Sequence, residues 1–67
     1  MIRLHDAYNN RLSYEILAQS IISLSQVIIK DREQSFVATR IASYNGTFYV
    51  KETMYDVVLQ MAKHLND

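Results

Sequence analysis

SFVATRIASYNGTFYVKETMYDVVLQMAKHLND, residues 35–67, is the stretch whose reading decides the fold. It reads as a β-hairpin that runs through a helix-start signal into an amphipathic helix. Asn45-Gly46 is a strong hairpin signal, because both central residues of a type I′ turn need positive φ, which Asn and Gly tolerate. With those two residues as the loop, Tyr44 pairs with Thr47, Ser43 with Phe48, Ala42 with Tyr49 and Ile41 with Val50. One face then carries Val37, Ile41, Phe48 and Val50, and the other carries Ala38, Arg40, Ala42, Tyr44, Tyr49 and Lys51. After Lys51 the period changes from two to 3.6. Met54, Val57, Val58, Met61 and Leu65 fall on one helical stripe. Thr53 fits an N-cap whose hydroxyl accepts an orphan N–H, and Asp56 lies in the positive first turn. The spacing predicts a helix over Thr53–Leu65.

Outward from that stretch, Ile2–Asp6 and Leu12–Ile16 both alternate apolar and polar, as half-buried strands do. Keeping Leu4 opposite Tyr14 and Ile2 opposite Ile16 requires an odd loop. A two-residue loop at Asn9-Asn10 would set Leu4 against Glu15 and split the apolar set across both faces. A three-residue loop, Tyr8-Asn9-Asn10, is therefore expected, with Asn10 in the left-handed position. Leu17–Lys30 is ambiguous. Tyr14, Leu17, Ile21, Leu24 and Ile28 recur at helical spacing, but Ile21, Ile22, Val27, Ile28 and Ile29 are β-branched and Ser20, Ser23 and Ser25 disfavour a helix. The stretch reads as a strand, with a bulge near Ser25-Gln26 to bring its apolar residues onto one face. Lys30–Gln34 is then a polar turn. The expected fold is α+β: one domain over residues 1–67, a small antiparallel β-meander of four or five strands with one C-terminal amphipathic helix.

Sixty-seven residues with no cysteine and no proline cannot bury a large core or staple a small one. Stability must come from tight packing or from oligomerisation. Lys+Arg and Asp+Glu are both seven, so no overall field draws the chain to nucleic acid, and general nucleic-acid binding is not expected. The N-terminus is not a signal peptide, and no apolar run reaches membrane-spanning length. A soluble cytoplasmic domain without a membrane partner is the expectation.

Two segments carry a family resemblance. Ser43–Thr53, SYNGTFYVKET, resembles the L-T-N-G-x-x-Y-V-K-E-S segment of small FlbD-type proteins, found in flagellar operons and, as looser relatives, in bacteriophages. Ser13–Leu24, SYEILAQSIISL, is similar to that family's x-Y-I-N-P-D-x-I-x-S-I, with Leu17-Ala18-Gln19 where the family has an Asn-Pro-Asp turn. The resemblance implies a β-meander with a terminal helix and a non-catalytic regulatory role. It transfers no catalytic residue.

Catalysis needs a nucleophile, a base and an orienting group held together, and no spacing here forces that. His5 lies on a strand, and His64 is best read as a partner of the helix C-terminus. No catalytic residue, cofactor or metal site is expected. Arg40, Tyr44, Tyr49 and Lys51 are the candidate surface: large rigid rings beside cations, with Arg40 directly opposite Lys51. Alternatively, the cations splay toward Glu52 or solvent and the tyrosines are ordinary strand formers. One helix covers only one face of a small sheet, so the face with Phe36, Ala38, Ala42, Tyr44 and Tyr49 needs another cover. A homo-oligomer, through that face or an edge strand, supplies it. Two functions follow. One is a small regulatory or inhibitory protein-interaction module with a protein partner. The other is an oligomer that sequesters a nucleotide near Tyr44, Tyr49, Arg40 and Lys51.

Overall fold

A computed structural model describes residues 1–65 of the chain. Five strands precede one helix: β1 (Ile2–His5), β2 (Ser13–Ile16), β3 (Ile21–Asp31), β4 (Gln34–Ser43), β5 (Gly46–Val50) and α1 (Met54–Leu65), with a 3-10 turn at Ala18–Ser20 between β2 and β3. All pairing is antiparallel, in a two-stranded sheet β1-β2 and a three-stranded sheet ordered β3-β4-β5. The small α+β meander with a terminal helix is the expected architecture.

Parity alone set the first hairpin: Ile2 faces Ile16 and Leu4 faces Tyr14, as the apolar pattern requires. Its loop is built differently from the expectation. Asn10 does not take a left-handed conformation; among the described residues the non-glycine position with positive φ is Arg32, at 59°. The Asp6 carboxylate shapes the loop instead, accepting the N–H groups of Tyr8 (2.9 Å) and Asn9 (2.8 Å). A side chain that bonds nearby backbone in this way replaces the glycine-like residue the turn otherwise needs. The Tyr14 hydroxyl donates to the same carboxylate, and the Tyr14 ring packs 4.9 Å from that of Phe48.

The second hairpin departs from its expected register. Tyr44-Asn45 is the loop, so Ser43 faces Gly46, Ala42 faces Thr47, Ile41 faces Phe48, Arg40 faces Tyr49 and Thr39 faces Val50. The Ser43 hydroxyl closes this turn, accepting the Asn45 N–H (3.2 Å) and donating to the Gly46 carbonyl (2.8 Å). Gly46 absorbs the positive φ, 136°, as the first residue of β5. The slip is an even number of residues, so every side chain keeps its face and only its partner changes. In β3 the bulge lies between Ile21 and Ser23 rather than near Ser25-Gln26, and it turns Ile21 toward the core.

The two sheets share one core because β1 continues along the outer edge of β5. Asp6 bridges Val50, with Ala7 N–H donating to the Tyr49 carbonyl (2.9 Å) and Lys51 N–H to the His5 carbonyl (3.0 Å). Glu52 locks the connector beyond. His5 donates its backbone N–H (2.9 Å) and its ring Nδ1–H (2.7 Å) to the Glu52 carboxylate. Buried Thr39 donates its hydroxyl to the Glu52 carbonyl (2.7 Å). One residue on, the Thr53 hydroxyl accepts the Asp56 N–H at 3.1 Å, the expected N-cap.

The core is Ile2, Leu4, Ile16, Ile41, Val50 and Val57, with Tyr14, Ile21, Leu24, Phe48 and Met61 packed against it. Val57 is fully buried, whereas Val58, placed on the same stripe by spacing, is 49% exposed. Neighbours on a helix lie about 100° apart, and the face presented to β1 and β3 selects Val57 and Met61. The Leu65 side chain lies outside the described residues.

Val57→Asp should therefore unfold the chain, since a buried unpaired carboxylate costs several kcal/mol against a stability of about 5 kcal/mol. Val58→Asp should keep the melting temperature within a few degrees; thermal denaturation of the pair decides it. Asp6 gives a pH test. The Tyr14 hydroxyl, then the Asn9 and Tyr8 amides, hold its carboxyl below the usual range against the opposing effect of burial. A depressed pKa stabilises the fold above the unfolded value, about 3.9, and that contribution is lost as pH falls through the lower folded value. Melting curves from pH 7 to pH 2 should show an acid-side loss that is smaller in Asp6→Asn, which is itself less stable at pH 7. Equal acid slopes would remove Asp6 from the account.

Candidate interaction surface

The lengths of the elements set up the surface. β3 has 11 residues and β4 has 10, but β5 has five. At about 3.4 Å per residue the β3–β4 hairpin is roughly twice as long as a 12-residue helix at 1.5 Å per residue. It outruns the described helix. The molecule is accordingly elongated, 42 × 20 × 19 Å, and the half of the hairpin beyond Gln26 and Thr39 forms an arm.

The two faces of the arm differ. On the far face Phe36 meets Tyr8 of the β1–β2 loop edge-on, rings 6.2 Å apart, while Ala38 (2% exposed) and Ile29 are buried. The face expected to stand open is thus partly covered by the chain itself. On the near face, which carries Leu24 and Ile41 toward the core, Ile28 and Val37 face each other across the ladder. They are 67% and 57% exposed. A cleft of about 100 Å³, lined by Gln26, Val37, Ala38, Thr39, Glu52 and Met54 among others, separates this pair from the start of the helix. An aliphatic pair opposed in register and more than half exposed among the described residues is the feature a contact would cover.

The edge of the arm is bare as well. β3 is the terminal strand of its sheet, so one row of its N–H and C=O groups has no strand partner. Terminal strands are normally blunted by brevity or by charge. β2, the other terminal strand, has both: four residues, with Glu15 ion-paired to Arg3 at 2.8 Å. β3 has a bulge at Ile21–Ser23 and charges at Lys30 and Asp31, but between them Ser23–Ile29 is long and uncharged.

The four residues singled out by sequence do not form one cluster. Arg40 faces Tyr49 rather than Lys51, because of the shifted register. Lys51 has left the ladder, with its N–H on His5. Tyr44 is in the turn and exposed. Arg40 and Tyr49 remain a cation beside a ring on one face. Sequence reasoning missed Ile28 and Val37 as surface residues; the signal available was the excess length of the hairpin over the elements that could shield it. No family model, curated protein or solved structure matches this chain. No helix of the described residues is long and apolar enough to cross a membrane.

Proposed function

We propose that the protein is a small, non-catalytic interaction module of bacterial or bacteriophage type that acts as a homo-oligomer in the cytoplasm, with the β3–β4 arm as its contact surface. The observation that carries this reading is the arm itself: Ile28 and Val37 are exposed in register, and the terminal strand that holds Ile28 has a regular run, Ser23–Ile29, that carries no charge. Association is the ordinary way to cover such an edge. The titratable side chains in contact serve the fold. His5 and Glu52 hold the connector, Asp6 and Tyr14 hold a loop, and Arg3 and Glu15 pair on the surface. The resemblance of Ser43–Thr53 to FlbD-type proteins supports the regulatory part of the reading, and the lack of cysteine suits a reducing compartment.

A nucleotide-sequestering oligomer is the weaker reading. It needs stacking rings and cations converging on one place, and the structure keeps only Arg40 and Tyr49 side by side.

Sedimentation of the wild-type chain at micromolar concentration should give an assembly larger than its 7.8 kDa. Ile28→Lys, at a position without core contacts, should shift that mass toward the monomer by at least tenfold in dissociation constant while retaining the circular dichroism spectrum. Tyr44→Lys, on the exposed turn, is the control and should sediment as wild type. A monomeric wild type, or an Ile28→Lys assembly of unchanged mass, would overturn the reading.

A further inference from the structure

We propose that the second copy adds to β3 edge-on, forming a two-fold dimer in which β3 pairs antiparallel with β3 of its partner about Gln26. This rests on the self-association proposed above and adds its geometry.

A two-fold axis normal to a sheet admits only registers in which one residue faces its own copy, because directly opposed side chains share a face. Gln26 is the midpoint of β3, Ile21–Asp31. On the regular side of the bulge, the register about Gln26 pairs Ser23–Ile29 of each copy and keeps Lys30 and Asp31 out of the apolar ladder. It sets Leu24 of each copy opposite Ile28 of the other. The exposed Ile28 of each arm is thereby set beside the core end of its neighbour, where Leu24 packs beside Ile41. No like charges are opposed. The competing registers are poorer: about Val27, Leu24 faces Lys30 and Ile28 faces Gln26; about Ile28, only the outer part of the strand pairs and Leu24 faces Arg32. The two arms would overlap side by side, giving a continuous sheet β5-β4-β3-β3-β4-β5.

The chain has no cysteine, so single substitutions report the register cleanly. Gln26 is exposed, so Gln26→Cys should retain the wild-type circular dichroism spectrum. Under mild oxidation Gln26→Cys should convert to a disulfide-linked dimer. Leu24→Cys and Ile28→Cys should each fail to link alone, since each would lie four residues, about 13 Å, from its own copy. Mixed together, those two variants should link to one another. An assembly by sedimentation in which Ile28→Cys links to itself, or in which Gln26→Cys does not link, would overturn this pairing while leaving self-association in place. A chain that sediments as a monomer would remove both.

Discussion

Two small sheets become one fold because the chain is clamped where β1 passes β5. The Asp6–Val50 bridge, with its flanking backbone bonds, places β1 against the three-stranded sheet. Glu52 then ties the connector to both sides at once, its carboxylate held by His5 of β1 and its carbonyl by Thr39 of β4. This seam fixes where the helix starts and aims Val57 and Met61 at Ile2, Leu4, Ile41 and Val50. Without it, β1-β2 would be an isolated hairpin, which is marginal in water. Each hydrogen bond of the seam contributes only about 1 kcal/mol net. What matters is that they are concentrated where both sheets and the helix meet.

The clamp also explains the asymmetry of the molecule. It gathers the apolar residues at one end, within reach of a 12-residue helix, and leaves the longer β3–β4 hairpin to extend past them. The loop that Asp6 shapes reaches back to Phe36 and covers one face of that extension. Nothing among the described residues does the same for Ile28 and Val37. Core, seam and arm therefore follow from one mismatch, a β3–β4 hairpin longer than the helix that packs on it.

Much of this was legible in the sequence, and what was not has identifiable causes. The β1–β2 register followed from parity, since one placement keeps Ile2, Leu4, Tyr14 and Ile16 together. The helix start followed from Thr53, whose capping bond is local. Leu17–Lys30 was correctly a strand from Ile21 onward because its isoleucines and serines outweighed its helical spacing. The hairpin register was misread because the Ser43 hydroxyl, not the Asn-Gly pair, closes the turn. Val58 was misread because spacing locates a stripe only to within a neighbouring residue, and tertiary contact chooses. The Arg40, Tyr44, Tyr49 and Lys51 grouping depended on that hairpin register and loosened when it moved. The cover over Ala38 joins residues far apart in the chain, Tyr8 and Phe36, which no local pattern reports.

The claim on which the functional account depends is that the outer edge of β3 is covered by another copy of the chain. Hydrogen exchange of the β3 amides, measured across a hundredfold range of protein concentration, reads that edge directly. A covered edge predicts that the outward-facing amides of Leu24–Ile28 exchange as slowly as those of β4 at high concentration and speed up on dilution, while the amides of β4 and β5 stay unchanged. Fast exchange along the outer row of β3 at every concentration, with β4 and β5 protected throughout, would contradict it.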